Sequence, residues 1–307
     1  MEDYNKIIES LNVRFKRLRT IRIIQPVTIK NFYDVDNTVI LVHKGEVGFG
    51  KDKEVAKAGE IIFIPGGKML EVTYGSGYPV SMSNDDFISK KESFFKSFDY
   101  EKLDEVEDEC FSYITLEAKV FDSVNFFNSL DIPPFKLTNH PTIGPLIISI
   151  IDETKSELAG NGRIVKLNTD YLTVEVIRYI LKKGLFVEQL ATNSTYFKDP
   201  RLIDIFNFIK ENLENDLSNK VLANVANVSE DYVGQYFKML TGINPQDYIE
   251  YQRMEKAVDL LRTSKKSIRD IGKEVGYKDT AYFCRRFKMM FGIPAGKMRR
   301  RESLINI

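Results

Sequence analysis

Residues 267–301 read SIRDIGKEVGYKDTAYFCRRFKMMFGIPAGKMRRR, and the reading of the chain turns on them. Ser267 followed three positions later by Asp270 is a capping-box start. Ile268, Ile271 and Val275 then fall on one helical face. Gly276 stops that helix, because glycine accepts the left-handed backbone of a helix end without a Cβ clash. Asp279 caps the next helix, whose buried stripe is Phe283, Phe287, Met290 and Phe291. Ala281, Cys284, Arg285 and Lys288 are left facing outward. Two short helices with a tight turn, the second aromatic inside and cationic outside, form the pattern of a helix-turn-helix that offers a recognition helix to a DNA groove.

A second copy lies fifty positions upstream. LANVANVSEDYVGQYFKMLTG, residues 222–242, aligns without a gap on GKEVGYKDTAYFCRRFKMMFG, residues 272–292. Val225 matches Val275, Tyr232 matches Tyr282, Phe237-Lys238-Met239 matches Phe287-Lys288-Met289, and Gly242 matches Gly292. The shared residues read as one core used twice. Between the copies, Pro245 suits a first helical turn, and Gln246 to Arg262 contains no glycine or proline. That stretch reads as one helix about 25 Å long. This is close to the length needed to hold two recognition helices in successive major grooves, about 34 Å apart.

Residues 200–301 resemble the DNA-binding domain of AraC/XylS-type bacterial transcription regulators. The resemblance rests on Ile271-Gly272, Val275-Gly276-Tyr277, Tyr282-Phe283, Arg285, Phe287-Lys288, Gly292 and Arg299. The family reads Gly-x-Ser/Thr-Pro before a final Tyr-Arg. This chain has Gly292-Ile293-Pro294-Ala295, and Met298 stands for the tyrosine. The departure affects the last turn, not the recognition helix. Upstream, Gly59-Glu60-Ile61-Ile62-Phe63-Ile64-Pro65-Gly66-Gly67 resembles a strand and turn of the cupin-like sensory barrel found in many such regulators, with Lys68 where a histidine often follows. The resemblance implies a sequence-specific regulator bound to double-stranded DNA. It also implies activation as the commoner mode, hence RNA polymerase as a partner, and a homodimer through helices of the N-terminal domain.

The whole chain is consistent with that outline. At 307 residues two domains are the natural expectation. With 43% hydrophobic and 29% charged residues, each has material for a core. The formal charge is zero but uneven: residues 200–307 carry 19 Lys+Arg against 14 Asp+Glu, and residues 1–199 carry 25 against 30. A basic end on an acidic partner domain suits DNA contact at one end. Arg285, Arg286, Lys288, Lys297, Arg299, Arg300 and Arg301 gather there. No apolar run approaches twenty residues and the first twenty have no signal-peptide core, so the chain is read as cytoplasmic, with no membrane partner. Cys110 and Cys284 lack metal spacing and are expected to be reduced thiols.

The expected fold class is α+β. Residues 1–190 form a regulatory and dimerisation domain, with an antiparallel cupin-like barrel of six to eight strands over about 21–121 and helices over about 122–184. Residues 191–199 are a linker, and 200–307 an all-α domain with helix-turn-helix motifs at about 218–241 and 267–291. Val39–His43 and Ile61–Ile64 are continuous apolar runs, as in strands buried on both faces. Residues 1–20, mixed polar and charged, read as a short helix or an arm, 90–111 reads as loop or helix, and 112–121 reads as a strand closing the barrel. Asp122 is expected to cap a helix over 122–130. Ile143, Leu146, Ile147, Ile150 and Ile151 stripe a second, and Tyr171, Leu172, Val174, Ile177, Ile180 and Leu181 a third. Leu202, Ile205, Phe206, Ile209 and Leu213 stripe a helix that packs under the first helix-turn-helix.

Arg285 is the expected base reader, since a guanidinium matches guanine O6 and N7 in a bidentate way. Thr280 and Ala281 share its side and suit a thymine methyl. Lys278, Lys288 and Arg299 suit phosphates. In the first copy Gln235 is the counterpart of Arg285 and suits adenine, with Gly234 and Asp231 beside it and Lys238 in the place of Lys288. Asp231 repels phosphate unless it serves the helix start or accepts from a cytosine N4. In the barrel, Tyr33, Phe63, Lys68, Met69 and Tyr74 are candidates to line a mouth for a small-molecule effector, against core packing as the commoner fate. The only histidines are His43, read as a core residue, and His140, read as a turn residue with no chemical job. Metal cupins need several histidines and a carboxylate, so no cofactor and no enzymatic activity are expected. A ligand-independent DNA-binding protein controlled by protein contact and a cupin-type enzyme with a DNA-binding appendage are the competing readings.

Overall fold

The computed structural model describes residues 4–50, 52–120, 124–129, 132–138, 140–186, 199–241 and 244–299. The chain divides into two compact units: Leu11–Val120 with Asn125–Val187, and Met1–Ser10, Phe121–Val124 and Glu188–Ile307.

The first unit is β-rich. Its strands are β1 (Leu11–Ile23), β2 (Val27–Asp34), β3 (Asn37–Lys44), β4 (Glu46–Phe49), β5 (Glu54–Lys57), β6 (Ile61–Ile64), β7 (Lys68–Tyr74), β8 (Val80–Ser83), β9 (Phe95–Ser97), β10 (Cys110–Val120), β11 (Val124–Asn125) and β12 (Phe135–Leu137). They form two sheets, ordered β12-β6-β3-β10-β1-β9, with β11 on β10, and β5-β4-β7-β2-β8. The sheets do not close into one barrel. One pair, β2 with β8, is parallel. The other pairs along the two paths are antiparallel. Ile40, Val42, Ile62, Ile64 and Phe111 of one sheet and Val27, Ile29, Val47, Phe49 and Val72 of the other share a single core. The alternate residues Val39, Leu41, Ile61 and Phe63 are buried as well. Phe63 packs on Phe127 and Phe135, with centroids 4.5 and 5.4 Å away. Covering both faces of β3 and β6 explains their unbroken apolar runs.

Several expectations need correction. The sheet begins at Leu11, not near Ile21. A register shift between Phe15 and Arg17 in the pairing with β10 disrupts the alternation that marks a half-buried strand. Residues 84–94 form a helix, α2, following α1 (Tyr4–Glu9), and 100–105 a 3-10 turn. Val124–Asn125 is a short strand followed by a one-turn helix, α3 (Phe126–Ser129), and Asp122 lies outside the described residues. The two long helices are α4 (Ile143–Lys155) and α5 (Asn161–Lys183). The α4 stripe is buried as expected, whereas α5 begins ten residues before the first stripe residue and turns that residue, Tyr171, outward. His140 has a job after all: its Nδ1 accepts from the Thr142 and Ile143 amides, both at 3.4 Å, at the start of α4. His43 is a part-buried core residue. Its Nε2 lies 2.7 Å from Ser112 Oγ, and burial lowers its pKa to about 4.

The second unit carries α6 (Pro200–Glu211), α7 (Asn219–Ala226), α8 (Glu230–Thr241), α9 (Pro245–Thr263), α10 (Ile268–Glu274) and α11 (Thr280–Phe291). Leu202, Ile205, Phe206 and Ile209 bury the α6 stripe. Phe206 meets Phe237 of α8 and Tyr248 of α9, with centroids 5.6 and 5.0 Å away. Helix α6 therefore underlies the first helix pair. Among the described residues no helix is long and apolar enough to cross a membrane.

Candidate nucleic-acid interface

The second helix pair folds as its sequence dictates. Ser267 Oγ accepts the Asp270 amide at 3.1 Å and donates to its carboxylate at 2.6 Å. Ile271 and Val275 are fully buried. Gly276 takes φ +88°, and the Asp279 carboxylate accepts the Tyr282 amide. Phe283, Phe287 and Phe291 stack down the inner side of α11, with centroids 5.8 and 4.4 Å apart. In the first pair Ser229 starts α8, its carbonyl accepting from the Tyr232 and Val233 amides at 3.1 Å. Val233, Tyr236 and Phe237 face the core.

The outward faces of the two second helices correspond position by position. Helix α8 exposes Asp231, Tyr232, Gln235, Lys238 and Met239; α11 exposes Ala281, Tyr282, Arg285, Lys288 and Met289. These are positions i, i+1, i+4, i+7 and i+8, which share one side of a helix. The gapless alignment misplaced two of its own matches. Tyr232 and Tyr282 are 43% and 47% exposed, and Met239 and Met289 are 66% and 61% exposed, so they belong to the surface rather than the core. Their repetition at equal exposure is the signal that could have placed them in the interface. Gly234 and Cys284 are half-buried beside this face, Thr280 is half-buried at the start of α11, and Lys278 is exposed in the turn. The Arg285 guanidinium lies 5.9 Å from the Tyr282 ring centroid, within cation–π range. Asp231 sits in the first turn of α8, where a carboxylate complements the helix dipole.

Two residues of the basic cluster, one of them the expected phosphate contact Arg299, are engaged within the protein. Arg286 pairs with Glu250 of α9, and that bond raises its pKa. Arg299 is half-buried and donates to the Lys266 carbonyl at 2.5 Å. Its position fits the closing of the last turn better than a phosphate contact. Arg300 and Arg301 lie outside the described residues.

The five effector-mouth candidates do not line one mouth: Tyr33, Lys68, Met69 and Tyr74 lie on the paired strands β2 and β7, with Tyr33 opposite Met69, and Phe63 lies on the other sheet. Tyr33, Phe63 and Tyr74 are 2%, 1% and 5% exposed core side chains. Lys68 is half-buried and Met69 is exposed. The unit has a cleft elsewhere, beside α4, lined by Leu41, His43, Leu103, Pro145, Ile148 and Asp152. Among the described residues no group of three His, Cys, Asp or Glu side chains is placed to hold a metal ion.

Two helix pairs with matched outward faces define a DNA-binding module of the helix-turn-helix class, and the comparisons agree. Residues 222–301 match the family described as a helix-turn-helix domain. The transposon Tn10 TetD protein of Escherichia coli is 31% identical over 37% of this chain and 83% of its own length. The HTH-type transcriptional activator RhaS of an Enterobacter species is 23% identical over 76% of this chain and 81% of its own. An HTH-type transcriptional regulator of Haemophilus influenzae is 26% identical over 162 residues, and the chain spans about half its length, 53%. The fold of ToxT from Vibrio cholerae covers 95% of this chain and 99% of its own at a TM-score of 0.55, with 12% identity. The chain belongs to the AraC-type family of DNA-binding transcription regulators.

Proposed function

We propose that this regulator lays α8 and α11 into two successive major grooves on one side of the duplex, with α11 as the main reader of sequence. The observation that carries the proposal is the paired outward face. Each helix offers a lysine for phosphate and a tyrosine and methionine for sugar or thymine methyl. They differ at the centre, where Gln235 suits adenine and Arg285 suits guanine. The α9 helix between them, 19 residues and so about 28 Å long, supports this, being close to the ~34 Å between successive grooves. Hydroxyl-radical footprinting on a selected operator tests it. Two protected windows about ten base pairs apart are expected, and a single window would overturn the two-groove arrangement.

The β-rich unit is proposed to regulate this activity rather than to catalyse a reaction. Outward side chains of α5 support a homodimer contact: Ile164, Leu167 and Tyr171, at i, i+3 and i+7, are 40%, 46% and 46% exposed, near Leu158 at 75%. A small apolar effector is proposed for the cleft beside α4. A ToxT structure holds (E)-4-(8-methylnaphthalen-1-yl)but-3-enoic acid. An effector acts only by binding the DNA-competent and incompetent states unequally. Activation through RNA polymerase is the proposed mode, supported by the activator RhaS among the relatives. Reporter transcription in vitro with purified polymerase checks it: added protein should raise the transcript from a selected promoter, and lowered output would indicate a repressor.

A further inference from the structure

Along α9, Gln246, Glu250 and Arg253 stand at i, i+4 and i+7 and so share one face. Two of them hold the first helix pair by its base. Gln246 Nε2 donates to the Leu217 carbonyl at 2.9 Å. Arg253 donates from Nε to the Leu213 carbonyl at 2.9 Å and from Nη2 to the Asn215 carbonyl at 2.8 Å. All three acceptors belong to the stretch that leads from α6 into α7. Glu250 holds the second pair. Arg286 of α11 grips both its oxygens, Nε on Oε1 at 2.5 Å and Nη2 on Oε2, and the Tyr277 hydroxyl donates to Oε1 at 3.4 Å.

The two grips are joined. The Arg253 guanidinium lies 5.9 Å from the Tyr277 ring centroid. Gly276 is seated so closely that a Cβ there would overlap the Leu213 carbonyl and the Arg253 guanidinium. Burial lowers the Arg253 pKa. A side chain held in that environment by two divergent bonds is a costly way to fill space. Apolar packing stabilises without direction, whereas forked, charge-assisted hydrogen bonds fix angles.

We infer that Gln246, Glu250 and Arg253 set the relative orientation of the two recognition helices, and through it the half-site spacing the protein accepts, without touching DNA themselves. They are positioning residues, and Arg286 is their anchor on α11 rather than a DNA contact. The inference rests on the proposal that both helices occupy grooves.

The test uses the full chain and three duplexes: the selected operator, the same operator with one base pair inserted between its blocks, and a duplex keeping only the block read by α11. Affinities are measured for wild type, Glu250→Gln and Arg253→Lys at fixed salt. Both substitutions keep side-chain bulk, and Arg253→Lys also keeps charge but loses the fork and the stacked plane. Circular-dichroism melts verify that each variant is folded. An inserted base pair turns one block by about a tenth of a turn, and wild type should lose about tenfold or more in affinity. In the variants that ratio should fall to about threefold or less. Single-block affinity should stay within about twofold of wild type, and the salt dependence should be unchanged. Variants that keep the wild-type ratio overturn the inference. So do variants whose single-block affinity falls as far as their operator affinity, which is what simple destabilisation produces. If wild type itself tolerates the insertion, the two-groove proposal falls first and takes the inference with it.

Discussion

Helix α8 presents Asp231, Tyr232, Gln235, Lys238 and Met239, and α11 presents Ala281, Tyr282, Arg285, Lys288 and Met289. Three of the five positions are identical, so in the proposed two-groove arrangement the general grip on DNA is duplicated. The differences fall on the two positions, Asp231/Ala281 and Gln235/Arg285, to which the proposal gives field and base choice. Asp231 cancels the charge of Lys238 on the first face, whereas Arg285 and Lys288 make the second doubly cationic. The turns differ too. In the first pair the left-handed residue is Asn227, at φ +52°, two residues before the start of α8 at Ser229. In the second it is Gly276, at φ +88°, three residues before the cap Asp279. A gapless alignment hides this one-residue shift. It teaches that the second turn is the more constrained one, because Gly276 is also wedged against Leu213 and Arg253.

The largest effect is therefore expected at the turns. Gly276→Ala should destabilise the second helix pair by about 2–4 kcal/mol, from the left-handed backbone and the overlap with a carbonyl that cannot move aside. Asn227→Ala should cost the first pair only about 1 kcal/mol. Amide exchange in α8 and α11 of the full chain measures both. Equal losses in the two pairs would remove the asymmetry.

Next comes base choice. Arg285→Ala should cost about 1–3 kcal/mol on the selected operator and relax preference at one block. Gln235→Ala should sit at the low end of that range and relax the other. Competition binding against base-substituted operators reads this out, and an equal loss on all sequences would reassign Arg285 to phosphate.

The lysines should behave alike despite their different neighbours. Lys238→Ala and Lys288→Ala should each lower the slope of log K against log salt by about 0.9, across all sequences. A slope change from only one of them would mean that only one helix is seated. The smallest effect is expected from Asp231→Ala. It removes an exposed negative charge that the two-groove proposal sets near phosphate, and should raise affinity by a few tenths of a kcal/mol to about 1 kcal/mol, less at high salt. A loss of affinity instead would give Asp231 a base contact.

Much of this was legible in the residues because local rules dictate it. Ser267 with Asp270, Asp279, and the Phe283, Phe287, Phe291 stripe act within one or two turns of chain, and the structure repeats them. Strand β1 was hidden because basic residues and a bulge blur its alternation. The two sheets read as a barrel because a list of short strands does not specify closure. At the interface, Arg299 reads as a phosphate contact and Arg286 only as part of the basic cluster, because their partners, the Lys266 carbonyl and Glu250, lie 33 and 36 residues away. The stretch 246–262 reads only as one helix, and the roles of Gln246 and Arg253 were hidden because their carbonyl acceptors belong to a stretch with no pattern of its own.

Selection of bound DNA from a random pool, run at fixed salt with wild type and Arg285→Ala in parallel, tests the central claim most directly. The expected result is a site of two blocks about ten base pairs apart, with guanine preference in one block lost in the variant and the other block unchanged. A single enriched block, or two blocks both indifferent to Arg285, would contradict a two-groove reader led by α11.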